Sequence, residues 1–149
     1  MDIETVKNMD FSFVVYCSIH SPLLSSKQIE RAGRLIAKRL KKKGMASVHL
    51  VGERKIRSLN RDFRGQDRVT DVLSFEMNDK NNMSEENDWG DLFLCQNQIK
   101  RQALRFGVSE QEECVRMLAH GLLHLFGYDH KTSVTAKIMF TLQEKLVKL

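Results

Sequence analysis

Two hydrophobic periods take turns along the chain. Phe11, Phe13 and Val15 alternate with less apolar neighbours in a stretch rich in aromatic and branched residues that runs to Ile19, which predicts a first strand. Ser21-Pro22 breaks it, because proline fixes φ and pushes its predecessor into extended geometry. The period then lengthens. Ile29, Ala32, Ile36 and Leu40 form one stripe of a helix over residues 26–43, opened by a capping box of Ser25 with Gln28 and closed by Gly44 behind three lysines. Ala46, Val48 and Leu50 return to the strand period, with His49 facing solvent or a neighbouring strand.

Glu53 to Phe63 fits a short helix with Ile56, Leu59 and Phe63 inward, and Gly65 marks its exit. Val69 to Phe75 and Gly90 to Cys95 read as the third and fourth strands, and the polar stretch Glu76 to Trp89 between them as a loop or hairpin excursion. Gln96 to Phe106 follows as a helix with Ile99, Ala103 and Phe106 apolar and Gly107 as its stop. Ser109 with Glu112 opens another helix, and Val134, Ile138, Leu142 and Leu146 define a last one leaning on the core. Strands and helices mix without strict alternation, so the expected fold is α+β: one domain over residues 1–149, with a mixed sheet of about four strands packed with helices.

Composition narrows this little, but charge placement adds to it. The 149 residues suit a single core, and three separated cysteines without a C-x-x-C pair indicate neither a disulfide framework nor a cysteine metal cluster. The acid-bearing N-terminus lacks the features of a signal peptide and no run is long and apolar enough to span a bilayer, so a cytoplasmic protein without membrane attachment is expected. Eight residues between Lys27 and Lys43 are basic and only Glu30 is acidic, so this segment alone exceeds the net charge of +5. Lys27, Arg31, Arg34, Lys38 and Lys42 share the side opposite the apolar stripe. Such a stripe suits a polyanion, since lysine and arginine at phosphates release counterions, although a solvated face has the same composition.

The sharpest chemical signal is His120-Gly-Leu-Leu-His124-Leu-Phe-Gly127-Tyr-Asp-His130, which holds three of the five histidines. On a helix His120 and His124 stand on one face with Cβ atoms about 6 Å apart, and a stop at Gly127 lets the chain bring His130 back. On a helical wheel Val115, Leu118, Leu122 and Phe126 gather on one side, and the two histidines fall roughly 140–180° away, off the main core face. Three imidazoles with an open fourth position describe a catalytic zinc site better than a structural one. The order His120, His124, Gly127, His130 matches the metzincin protease pattern except that Gly121 stands where the protease has its general base. Peptide hydrolysis thereby loses its main support, and the basic helix favours phosphodiesters.

The histidine segment resembles the signature of the YbeY-type rRNA maturation factors, metal-dependent endoribonucleases. Asn60-x-x-Phe63-Arg64-Gly65-x-Asp67-x-x-Thr70-Asp71-Val72-Leu73-Ser74-Phe75 and Gly90-Asp91-Leu92 are similar to two further blocks of that family, in the same order. The resemblance implies one zinc ion held by His120, His124 and His130, with Arg64 as a catalytic residue. It further implies single-strand-specific RNA cleavage in 16S rRNA 3′-end maturation and ribosome quality control, with rRNA as substrate and the small ribosomal subunit as partner. Asp71, Ser74 and Asp91 are candidates for turns or for orienting ligands, and Asp129 could orient a histidine or serve a turn. Taken alone, Arg64 would read as a surface ion pair. Two other functions stay open: a non-catalytic ribosome-associated factor ordered by a structural zinc, and a metalloprotease-like hydrolase.

Overall fold

Parallel pairing of β1 (Phe11–Cys17) with β2 (Gly44–Val51), and of β2 with β4 (Asp88–Cys95), builds most of the sheet. β3 (Val72–Glu76) adds antiparallel to β4, giving the order β1-β2-β4-β3. The helices are α1 (Ser26–Arg39), α2 (Glu53–Arg64), α3 (Gln96–Phe106), α4 (Glu110–Leu125) and α5 (Ser133–Val147). This computed structural model describes residues 10–77 and 88–149, so the N-terminal segment and most of the polar excursion expected after Glu76 lie outside the described residues. The α+β architecture with a four-stranded mixed sheet is the one expected.

Alternation along the strands makes two cores. Phe11, Phe13, Ala46, Val48, Leu50, Leu92 and Leu94 turn to one face, where α1 and α4 cover them. Val51, Leu73 and Cys95 turn to the other, against Ile56 and Leu59 of α2. Each fully buried leucine or isoleucine in these layers contributes roughly 1.5–3 kcal/mol relative to exposure.

Several boundaries moved for local reasons. α1 ends at Arg39 and not at Gly44: Lys42 N–H donates to Ala37 O and Lys41 N–H to Lys38 O, with Lys41 itself at φ 57°, so a lysine closes the helix. β3 starts at Val72 because Asp71 Oδ1 captures the Val72 N–H at 2.7 Å, turning residues 69–71 into a connection. Phe63 and Phe106, expected inward, are exposed, and the buried position on α2 is taken by Asn60, whose amide donates to Arg68 O.

The largest correction concerns α4 and α5. α4 is buried nearly all round, through Met117, Leu118, Ala119, Gly121, Leu122, Leu123 and Leu125, so one apolar stripe does not describe it. What remains is a polar seam of Glu113, Arg116, His120 and His124 at helical spacing, and α5 lies over it. Glu113 is only 1% exposed and pairs with Arg116 at 2.8 Å, which also reaches Glu144 of α5 at 2.9 Å. α5 turns Met139, Gln143 and Leu146 inward to meet this seam, leaving Val134 and Ile138 exposed. A strict four-residue spacing advances 40° around the helix at each step, so the expected stripe drifts: Leu142 and Leu146 meet the core, while Val134 and Ile138 turn away from it.

Gly121 has a packing reason. A Cβ there would lie 2.8 Å from Leu92 Cδ2 and 3.2 Å from Val72 Cγ2, so its absence lets α4 sit flat on β3 and β4. Gly121→Ala is expected to cost about 1–3 kcal/mol through overpacking, more than the roughly 1 kcal/mol that alanine gains over glycine in a helix. Urea unfolding checks this, and stability equal to or above wild type would contradict it.

Candidate metal centre

The turn after α4 assembles the site. Gly127, at φ 98°, donates its N–H to His124 O, and Tyr128 N–H donates to Leu123 O at 2.9 Å, closing the helix and reversing the chain. His130 thereby returns beside the pair on the helix, and ligand atoms of His120, His124 and His130 lie within 4.8 Å of one another. Asp129 does not orient a histidine. Its Oδ1 accepts from Lys131 N–H at 3.1 Å, which shapes the His130 loop.

Hydrogen bonding fixes which nitrogens face inward. His124 Nδ1 lies 3.1 Å from Tyr128 O, a carbonyl that can only accept, so the proton belongs on Nδ1. His120 Nδ1 lies 2.7 Å from Gln143 Oε1, whose amide nitrogen is turned to Glu144, so Nδ1 is again the donor. Both Nε2 atoms then carry lone pairs, and they face each other at 3.1 Å. Two lone pairs at that distance repel unless a cation lies between them. Tetrahedral zinc with Zn–N bonds of about 2.0–2.1 Å would set its nitrogens roughly 3.3 Å apart, close to this spacing. The donor set therefore fits the ion.

Burial reinforces it. Desolvation, then the neighbouring imidazoles of His120 and His130, bring the His124 pKa down to about 4, and desolvation also lowers that of His120. Neutral imidazoles are the form that binds metal. Phe140 lies against the cluster, its ring centroid 6.0 Å from that of His130.

The histidines open into a pocket of about 370 Å³ also lined by Arg64, Thr70, Asp71, Ser74 and Glu76. Arg64 comes from the end of α2, where one of its terminal nitrogens donates to Ser74 O at 2.6 Å and its guanidinium lies 4.9 Å from the Phe75 ring centroid. Asp71 commits both oxygens, Oδ1 to Val72 N–H and Oδ2 to the Gln102 amide at 2.8 Å. Ser74 Oγ donates to Gly121 O at 3.3 Å, tying β3 to the histidine helix. Asp91 does not join them: it points to the other face of the sheet and meets His49 at 2.8 Å. None of the basic side chains of α1 lines the pocket. Gln143 and Glu76 were not foreseen. A glutamine inside the apolar positions of the last helix was the available signal for the first; nothing in the local pattern pointed to the second.

Fold and site together define an α+β protein with a three-histidine cluster at the end of a buried helix. Sequence comparison is more specific: the Endoribonuclease YbeY family matches residues 22–149, and the chain belongs to that family. Endoribonuclease YbeY of Ureaplasma urealyticum is 34% identical over 132 residues, covering 87% of this chain and 84% of that protein. Its counterpart in Acholeplasma laidlawii is 37% identical over 120 residues, covering 80% and 85%. The solution structure of TM1509 from Thermotoga maritima superposes with a TM-score of 0.63 at 32% identity, covering 91% of this chain and 87% of that one.

Gln143 is bonded to the outer nitrogen of His120, a position suited to holding the ring. Gln143→Leu is expected to weaken zinc binding about 10- to 100-fold, the usual effect of removing a partner that orients a metal-binding histidine. Competition with a chromophoric chelator measures it, and unchanged zinc affinity would show that Gln143 serves packing alone.

Proposed function

We propose that this chain is a zinc-dependent, single-strand-specific endoribonuclease acting in 16S rRNA 3′-end maturation and ribosome quality control, in the cytoplasm and on the small ribosomal subunit. The observation that carries the reading is the pair of Nε2 atoms of His120 and His124, 3.1 Å apart, in a pocket that Arg64 also lines. The names of the relatives, all endoribonucleases, point the same way.

His120, His124 and His130 would hold one zinc ion. Bound there, the ion supplies Lewis acidity at a phosphoryl oxygen and lowers the pKa of water toward 7. Arg64 meets the substrate phosphate: with one donor fixed on Ser74 O and its guanidinium over the Phe75 ring, its remaining N–H groups can hold nonbridging oxygens as charge develops. Asp71 is committed to backbone and Gln102, so of the two carboxylates lining the pocket Glu76 is the one placed to accept a proton. The protease alternative is weakened by Gly121, which abuts Leu92 and Val72 and has no room for a glutamate. The structural-zinc alternative is weakened by the three-membered cluster among the described residues, since structural sites are closed by four protein ligands.

Protein stripped by chelator should be inactive on single-stranded RNA and recover with zinc, while duplex RNA of the same sequence stays uncut; equal cleavage of both would overturn the strand specificity. Arg64→Ala and Arg64→Lys should each lower kcat by about 10²-fold, because lysine cannot reproduce the planar fork. Zinc content should stay unchanged in both. Full activity in Arg64→Ala would remove the arginine from the reaction.

A further inference from the structure

The sheet face away from the metal carries an aromatic ladder that the cleavage chemistry leaves unused. Tyr16, His49 and Phe93 are register partners on β1, β2 and β4. Their rings stack face to face, with centroids 4.8 Å apart and 14° between planes for the first pair, and 4.2 Å and 8° for the second. His49 Nε2 and Asp91 Oδ1, 2.8 Å apart, hold the middle ring in plane. Phe75 continues the row edge-on to Phe93 at 5.6 Å, and the exposed Phe63 meets Phe75 at 5.4 Å. The row thus crosses the whole sheet.

Its two ends differ from an ordinary core. On the edge strand β1, Tyr16 is 54% exposed, and among the described residues no strand lies beyond it to cover the ring face turned away from His49. Lys55 lines the same shallow cavity as Tyr16, His49 and Phe93, of about 460 Å³. At the other end the guanidinium of Arg64 stands over Phe75 while also lining the metal pocket. From Arg54 to Arg68 the chain has six basic and two acidic residues, and both acids are already paired, Asp62 with Arg61 and Asp67 with Arg57. The row therefore runs from Arg64 at the metal pocket to Tyr16 and Lys55 at the opposite edge, its middle rings stacked on one another.

We propose that the outer face of Tyr16, at the free end of this ladder, is a stacking site for an unpaired base of single-stranded RNA, engaging a nucleotide beyond the bond held at the metal pocket. The inference rests on RNA being the substrate. Bases offer flat faces that stack on aromatic rings regardless of sequence, and cations beside the rings receive the phosphates, which is how single strands are gripped without sequence readout. A duplex hides its base faces, so a stacking site at the sheet edge opposite the metal pocket also accounts for preference for single strands.

The test uses non-cleavable single-stranded oligonucleotides with 2′-O-methyl riboses, of about 4 and 12 nucleotides, carrying 2-aminopurine at successive positions. With wild type, the longer oligonucleotide should bind more tightly, and 2-aminopurine should be quenched at positions a fixed distance from the nucleotide at the metal pocket. Tyr16→Ala should weaken the long oligonucleotide about 5- to 100-fold and abolish that quenching, with the short one unaffected; Tyr16→Phe should behave as wild type. Because Tyr16 is exposed, the thermal midpoint of Tyr16→Ala should stay near that of wild type. Unchanged affinity and quenching in Tyr16→Ala, with cleavage intact, would overturn the ladder and leave the nuclease reading standing. No binding of either oligonucleotide by wild type would overturn both. An RNA-independent dimer that Tyr16→Ala dissolves would assign the surface to a second copy of the chain instead.

Discussion

Two imidazole Nε2 atoms 3.1 Å apart, each ring held by its outer nitrogen on an acceptor, need a proton or a cation between them. That constraint organises the C-terminal half of the molecule. The outer nitrogens are committed to Tyr128 O and Gln143 Oε1, so neither ring can escape by changing tautomer without losing a hydrogen bond. The first acceptor exists because the Gly127 turn places the Tyr128 carbonyl over the helix end, and the second because α5 turns a glutamine inward. Backbone geometry and helix packing together thus orient the two rings toward each other.

The same seam explains why α4 departs from an ordinary amphipathic helix. Its Glu113, Arg116, His120 and His124 are polar yet lie under α5, where an ion pair at one end and the histidine cluster at the other satisfy them. Gly121 lets the opposite side approach β3 closely, and Ser74 ties that strand to the helix. β3 is an edge strand, so Arg64 can reach over it from α2 into the histidine pocket. The sheet separates the two kinds of chemistry: histidines on one face, stacked aromatic rings on the other, and one arginine at the border.

Most elements were legible because their signals are local. The Ser25 capping box, the Gly65, Gly107 and Gly127 helix exits and the alternation in β2 depend on neighbours within a few residues, and all appear as expected. The histidine triple was legible for the same reason, since its members are held by one helix and one turn. Orientation was harder. Phe63, Phe106, Val134 and Ile138 look like core residues by spacing, but which side of a helix is covered is set by elements distant in sequence. Gln143 shows this most clearly: it is 5% exposed because His120, on another helix, requires a hydrogen-bond partner there. Asp91, a candidate for a turn or for orienting a ligand, is sent by strand alternation to the opposite face, where it meets His49.

The central claim is that the three histidines hold a zinc ion on which RNA cleavage depends. Zinc stoichiometry and single-stranded RNA cleavage, measured on the same preparations of wild type and His124→Ala, test it most directly. Wild type should hold one zinc per chain and cleave, and His124→Ala should lose both while the fold is kept. Cleavage that persists in His124→Ala after its zinc is gone would contradict it.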